Sequence, residues 1–163
     1  MRVHSLKSAL QPLWSTLPEP VRGLLIAMRP IQWAKNGFVF AGLLFDQQLT
    51  RPEPLARVTA TFVLLCLTAS AIYLVNDLVD IERDRLHPRK RLRPLPSGQL
   101  PKSWATAAAI LLPAFSLLAS LALTWKLTVV LLGYLALHLA YSFFLKNIVL
   151  LDVFAIAAGF ILR

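Results

Sequence analysis

The chain of 163 residues is unusually apolar and at the same time strongly basic. Hydrophobic residues make up 57% of it and charged residues only 15%, against roughly 45–50% and about 25% in soluble domains. Its 17 lysines and arginines outnumber 8 aspartates and glutamates, which gives a net charge of +9. Disordered basic tails are excluded because they are poor in large aliphatic residues, and the single cysteine excludes a disulfide scaffold. This combination is typical of a membrane protein whose charge is collected in loops.

The first 28 residues are expected to form a cytoplasmic or interfacial N-terminal segment, and residues 29–163 a transmembrane domain. No secretory signal is predicted, because no apolar core follows the basic start. Leucines recur at helical spacing in the first 17 residues. This pattern favours a helix lying on the membrane surface or, equally, a frayed tail that ends at Pro18 and Pro20.

Five apolar stretches predict transmembrane helices, each of which needs about 20 residues to cross the hydrocarbon core. The first contains Lys35 and the last Asp152, whereas the other three carry no charge. They lack the alternation of barrel strands, and a helix satisfies its own backbone groups within the bilayer. The predicted fold is therefore an all-α, polytopic transmembrane helix bundle. The five stretches are residues 31–45, 58–75, 104–123, 127–145 and 148–162.

Lysines and arginines alternate along the chain in a way that predicts its orientation. Five precede or begin the first span, two lie in the next loop, seven lie in the loop of residues 76–103, and one follows the third span. Because basic residues concentrate on the cytoplasmic side, the N-terminus and the loop of residues 76–103 are expected in the cytoplasm. We expect a multi-pass protein of the cytoplasmic (inner) membrane, with tryptophans as interface anchors: Trp14, Trp33, Trp104 and Trp125.

Half of the acidic residues lie within eight positions, where a long apolar stretch meets water. At about 100° per residue, Asp77, Asp80 and Asp84 share a helix face with Asn76, while Glu82 points away. Like charges on one face repel each other, so a cation is expected to offset them. Mg²⁺ usually takes one or two carboxylates and completes its shell with water and phosphates. The pattern therefore favours a magnesium–diphosphate site over the alternative, a solvated helix end paired with arginines.

A basic stretch follows directly after these acids. Lys90 and Arg93 can donate hydrogen bonds to phosphate oxygens, and prolines together with Gly98 shape a loop. Acids for a metal next to bases for phosphates is the arrangement that phosphate chemistry needs. The alternative is that these basic residues only orient the chain in the membrane, since cytoplasmic loops collect lysine and arginine without forming a site. Nucleic-acid binding is not expected, because the stretch lacks interleaved aromatic residues and lies against a membrane.

The acidic stretch resembles the first aspartate-rich motif of the UbiA superfamily of intramembrane prenyltransferases. Asn76, Asp77, Asp80 and Asp84 match this N-D-x-x-D-x-x-x-D motif in full. Further segments resemble the branch of the superfamily that transfers phosphoribosyl groups, and the resemblance covers residues 29–163. These segments are residues 29–36, 87–98, 141–146 and 151–163.

The resemblance implies a bundle of about nine spans in two halves, with a polar cavity open to the cytoplasm. The chain, with about five spans, looks like the N-terminal half only. It is then expected either to be inactive alone or to be completed by a partner. Mg²⁺ is the implied cofactor, with Asp77, Asp80 and Asp84 as catalytic and metal-binding residues. Substrate contacts are implied for Lys35, Asn36, Asn76, His87, Lys90, Arg93, Tyr141 and Lys146.

The resemblance also implies the substrates. In the phosphoribosyl branch, the donor is phosphoribosyl pyrophosphate and the acceptor a polyprenyl phosphate. In the prenyl branch, a polyprenyl diphosphate loses its diphosphate to an aromatic or other small acceptor. A transporter segment and an inactive truncated fragment are the alternatives from other classes. Because the charges cluster at one cytoplasmic edge instead of lying deep in several spans, the sequence favours an enzyme over a transporter.

Overall fold

A computed structural model describes residues 16–143, and every regular element in that range is helical. The first 15 residues and the predicted span of residues 148–162 lie outside the described part. In chain order the elements are α1 (Glu19–Ala27), a 3-10 helix (Pro30–Phe40), α2 (Ala41–Phe45), α3 (Pro52–Val79), α4 (Ile81–Leu86), a 3-10 turn (Lys90–Leu92), α5 (Pro94–Ser97), α6 (Lys102–Leu123) and α7 (Trp125–Phe143).

Within residues 16–143, three helices are long and apolar enough to cross a membrane: α3, α6 and α7. They confirm the predicted spans at residues 58–75 and 104–123 and, as far as residue 143, the one at residues 127–145. The all-α, multi-pass character of the chain is confirmed with them. With 28 residues, α3 is about 42 Å long, more than the roughly 30 Å of the hydrocarbon core. Its final turn, which carries the first acidic residues, can therefore extend to the aqueous boundary.

The predicted span of residues 31–45 is helical but is not a regular α-helix. Its first part is the 3-10 helix of 11 residues, which continues directly into the 5 residues of α2. At a rise of about 2.0 Å per residue the 3-10 part covers about 22 Å, and α2 adds about 7.5 Å. The segment thus reaches about the thickness of the hydrocarbon core, although it is not among the three long apolar helices.

The core lies around α3, which packs against α6, α7 and the 3-10 helix. Small residues on α3, among them Ala69, Ser70 and Ala71, are fully or nearly buried and allow neighbouring helices to approach closely. A second cluster joins Leu74 of α3 to Leu95 and Leu100 of the connection between α4 and α6. This cluster fastens the predicted cytoplasmic loop to the membrane bundle.

The tryptophans within the described residues do not share one role. Trp104 and Trp125 are 47% and 66% exposed near the ends of membrane-spanning helices, as expected of interface anchors. For Trp33 that prediction is wrong, because its Nε1 donates a hydrogen bond to Ser70 Oγ at 2.9 Å inside the bundle. Trp33 therefore ties the 3-10 helix to α3.

Candidate functional site

Two aspartates, one near the C-terminal end of α3 and one on α4, form the centre of the candidate site. The side chains of Asp77 and Asp84 are only 4% and 1% exposed. Asp80 separates the two helices: α3 ends at Val79, Asp80 has φ of −94° and ψ of 7°, and α4 begins at Ile81. Because seven positions are about two helical turns, Asp77 and Asp84 keep the common face that the sequence predicts.

Three cationic side chains neutralise these two carboxylates. Arg93 Nη1 lies 2.7 Å from Asp84 Oδ2 and 3.2 Å from Asp77 Oδ1. Arg29 Nη2 lies 2.6 Å from Asp77 Oδ1, and Lys90 Nζ lies 3.6 Å from Asp84 Oδ1. Buried carboxylates need such partners to offset the cost of leaving water. Three cations against two anions leave the cluster with one positive charge in excess, which suits it to an anionic ligand.

Arg29 is the site residue that the sequence-based assignment missed. It has a left-handed backbone with φ of 53°, and its guanidinium lies 4.7 Å from the centre of the Tyr73 ring, in a cation–π contact. It belongs to one of the segments of the resemblance, but 48 positions separate it from Asp77. Neither charge nor periodicity indicates that the two residues meet.

The connection after α4 places Arg93 beside the aspartates. Since Pro94 follows it, Arg93 is restricted to an extended backbone, and its φ of −67° and ψ of 154° agree. Pro94 begins α5, which ends at Gly98 with φ of +87°, a left-handed conformation that glycine adopts readily. Buried Leu95 then anchors α5 in the core, so the guanidinium is held from a fixed element.

His87 shapes the same connection and does not point at the aspartates. Its Nδ1 accepts hydrogen bonds from the backbone N–H groups of Arg89 and Lys90, at 3.2 and 3.3 Å, and its side chain is exposed. Glu82 is exposed too, and pairs with Arg85 at 3.0 Å. The prediction that Glu82 points away from the acidic face is confirmed.

The other predicted contact residues lie on three helices. Asn76 accepts a hydrogen bond from Ser142 Oγ, which connects α3 with the end of α7, and half-buried Tyr141 is the neighbour of that serine. Asn36 is buried in the 3-10 helix, with its Nδ2 at 3.3 Å from Cys66 Sγ. Cys66 lies on α3, one helical turn before Ser70. Lys35 is exposed. Lys146 lies outside the described residues.

The donor set offers fewer acids than the sequence predicts for a metal. Within residues 16–143, no group of three or more His, Cys, Asp and Glu side chains lies close enough to hold a metal ion. Arg93 stands between Asp77 and Asp84, and Asp80 does not join them. Two convergent carboxylates still fit the one or two that Mg²⁺ usually takes, and Asp84 Oδ1 accepts no hydrogen bond from the described residues.

Comparison with known proteins finds relatives that share one name. The decaprenyl-phosphate phosphoribosyltransferase of Mycolicibacterium smegmatis is 42% identical over 151 residues, which are 88% of this chain and 46% of that protein. The enzyme of the same name from Mycobacterium tuberculosis is 38% identical, over 88% of the chain and 49% of its own length. That of Corynebacterium glutamicum is 40% identical over 86% of the chain and 44% of its own length. The chain spans about half the length of these relatives.

A family model supports the same relationship over most of the chain. The model of the UbiA prenyltransferase family matches residues 37–163. This region includes α3, both later membrane-spanning helices and the two buried aspartates, Asp77 and Asp84. The resemblance inferred from the aspartate-rich motif is thereby confirmed. The chain belongs to the UbiA prenyltransferase family.

Proposed function

We propose that this chain provides the diphosphate-binding half of a membrane transferase that moves a phosphoribosyl group from phosphoribosyl pyrophosphate to a polyprenyl phosphate. The observation that carries the proposal is the buried cluster of Asp77 and Asp84 with Arg29, Lys90 and Arg93 at the end of a membrane-spanning helix. The names of the relatives indicate the transferred phosphoribosyl group and the polyprenyl-phosphate acceptor, and phosphoribosyl pyrophosphate is the donor that the family resemblance implies. The site faces the cytoplasm of the inner membrane in this proposal, where a soluble phosphorylated sugar is available.

The basic residues of the cluster would stabilise the negative charge that develops on the departing diphosphate. An oxygen of the lipid phosphate bonds to the anomeric carbon of the ribose, and the bond from that carbon to the diphosphate breaks. The electron pair leaves with the diphosphate, so negative charge grows on the leaving group. Arg93 and Lys90 donate to its oxygens, and such preorganised donors stabilise charge that develops in the transition state. The bilayer meanwhile holds the apolar tail of the acceptor beside the site.

Mg²⁺ completes the proposal as its cofactor. Asp77 and Asp84 would hold the ion, with Asp80 as the remaining acid of the predicted set. When bound, the ion would neutralise the departing diphosphate. The guanidinium of Arg93, which now bridges the two carboxylates, would then be released towards the phosphates, so that its positive charge changes partners without leaving the site.

Transfer of a prenyl group from a polyprenyl diphosphate is the second candidate. The same cluster serves it, because in both reactions a diphosphate leaves a carbon centre and the metal and bases act on the leaving group. The family match supports this reaction as well as the first. What favours the phosphoribosyl reaction is the naming of three relatives at 38–42% identity after that activity.

The test is a transfer assay in liposomes with two labelled donors. The chain is reconstituted alone and together with the C-terminal half of the Mycolicibacterium smegmatis relative, with decaprenyl phosphate and Mg²⁺ present. We expect radiolabel from phosphoribosyl pyrophosphate to enter the lipid phase in a magnesium-dependent way. Label transfer from a polyprenyl diphosphate to an aromatic acceptor would instead favour the second candidate, and no transfer with either donor would favour an inactive fragment.

The variant Asp77→Asn tests the assignment of the site in the same assay. We expect at least a hundredfold loss of transfer, because a neutral amide neither binds the metal well nor balances Arg29 and Arg93. Glu53→Gln is the matched control, since Glu53 is exposed near the opposite end of the same helix and, among the described residues, pairs with Arg57 alone. Equal loss in both variants, or undiminished transfer by Asp77→Asn, would contradict the assignment.

A further inference from the structure

One hydroxyl group inside the bundle contacts the chain on both sides of Arg29. Ser70 is fully buried on α3. Its Oγ lies 3.0 Å from the carbonyl oxygen of Met28, just before Arg29, and accepts a hydrogen bond from Trp33 Nε1 at 2.9 Å, four positions after it. Its single proton is shared between the Met28 carbonyl and the carbonyl of Cys66, at 2.8 Å. The turn that connects α1 to the 3-10 helix is thus fastened at both ends to one atom.

This turn has a conformation that an arginine seldom adopts. With φ of 53° and ψ of 59°, Arg29 is in the left-handed region, which costs free energy for a residue with a Cβ atom and persists only where the surroundings enforce it. Glycine would adopt the same backbone without that cost. An arginine at this position indicates that its side chain is needed there. The hydrogen bonds of Ser70 hold the backbone in this conformation.

The same face of α3 provides everything that the arginine touches. Ser70, Tyr73 and Asp77 are three and four positions apart and therefore lie one above another on the helix. The hydroxyl holds the turn, the ring of Tyr73 lies under the guanidinium at 4.7 Å, and the carboxylate pairs with it at 2.6 Å. The side-chain direction of Arg29 is thus determined by three successive residues of one helical stripe.

We propose that Ser70 and Trp33 are positioning residues of the site: their hydrogen bond holds the left-handed turn at Arg29 and so directs the guanidinium at Asp77. Among the described residues, neither side chain forms a hydrogen bond with Asp77 or Asp84. Their effect on the proposed transfer rests on the function proposed above, whereas their effect on the ion pair of Arg29 and Asp77 does not depend on it.

The test is a double-mutant cycle between Ser70 and Asp77, measured as unfolding midpoints of the full chain in detergent. The two residues are seven positions apart, which is about 10 Å along the helix, and substitutions at that distance without shared partners usually add. We expect Ser70→Ala to lower the midpoint clearly in the wild-type chain and much less in Asp77→Asn, because the ion pair is already lost there. Additive shifts would overturn the proposal.

Two further variants protect this test against a simple folding defect. Trp33→Phe removes the Nε1 donor and keeps an aromatic ring, so its shift should also shrink in the Asp77→Asn background. Ser116→Ala removes another fully buried serine hydroxyl, whose one hydrogen-bond acceptor among the described residues is the Leu112 carbonyl on α6. Its shift should be unchanged in that background. A shift of Ser116→Ala that depends on Asp77 as strongly as that of Ser70→Ala would overturn the proposal too.

A ligand measurement separates this proposal from the proposed function. Mg²⁺ with inorganic diphosphate should raise the unfolding midpoint of the wild-type chain, and Ser70→Ala should need several times more of the mixture for the same rise. If the wild-type chain does not respond while the cycle still shows coupling, the proposed function fails and the positioning role stands. If the wild-type chain responds and Ser70→Ala responds at the same concentrations, the positioning role is contradicted.

Discussion

Arg93 connects the two buried carboxylates of the site. Its Nη1 atom is within 3.2 Å of both Asp77 and Asp84, whereas Arg29 reaches only the first and Lys90 only the second. Without Arg93, two acids on one helix face would keep one partner each and repel each other at close range. This residue therefore has a structural role in the unliganded chain in addition to any contact with phosphate.

Substitution of Arg93 tests that structural role. We expect Arg93→Gln to lower the free energy of unfolding by about 3 kcal/mol, the lower end of the range for breaking a buried pair, because the Arg93 side chain is itself 34% exposed. The measurement is the unfolding transition in detergent. Arg83→Gln is the control, since Arg83 is exposed and forms no ion pair with the described residues. Equal stability of the two variants would contradict the bridging role.

At this scale the sequence predicts helix faces well and long-range partners poorly. The common face of Asp77 and Asp84 follows from helical periodicity alone, and so does the outward direction of Glu82. Arg29 could not be assigned to the site from the sequence. Its contact with Asp77 depends on a left-handed turn, and no residue pattern predicts that turn. Asp80 is the intermediate case: periodicity places it on the face of Asp77 and Asp84, but α3 ends at Val79 and Asp80 follows as its C-terminal cap.

Among the elements, hydropathy predicts the position of apolar segments but not their helix type. The 11 residues from Pro30 to Phe40 form a 3-10 helix, although runs of more than three or four residues in this form are uncommon. An apolar composition is equally compatible with an α-helix. The hydrogen bond of Trp33 to Ser70 and that of Asn36 to Cys66 hold the segment along α3, and such contacts are visible only in the folded chain.

Gly98 gives the short helix α5 its end, and its substitution is a test at the scale of an element. A Cβ atom at this position would meet nothing within 4 Å, so Gly98→Ala changes only the cost of its backbone, where φ is +87°. We expect a loss of about 1 kcal/mol of unfolding free energy. Gly133→Ala is the matched control: its Cβ also meets nothing, but it lies inside α7, where alanine favours the helix by up to about 1 kcal/mol. Changes of the same sign in the two variants would contradict this account.

At the scale of the molecule, the site and the basic residues lie at one end of the bundle. The loop of residues 76–103 contains seven lysines and arginines, of which Lys90 and Arg93 contact the buried aspartates. Arg85 and Lys102 pair with exposed Glu82 instead. Only part of this charge contacts the site, and the remainder agrees with the orientation that the sequence predicts. One loop therefore combines a topological signal with the bases of the candidate site.

Cysteine accessibility tests the orientation that this charge distribution predicts. In a Cys66→Ser background, Thr50→Cys lies in the connection between α2 and α3, and Arg89→Cys in the connection between α4 and α5; both positions are exposed. These two connections lie at opposite ends of α3, which is long enough to span the bilayer. The excess of basic residues around position 89 predicts that this end is cytoplasmic. A membrane-impermeant maleimide should therefore label position 50 in intact cells and position 89 only after permeabilisation. Labelling of position 89 in intact cells would place the acidic cluster on the outer face, where a donor made in the cytoplasm could not reach it, and would contradict the proposed reaction together with the orientation.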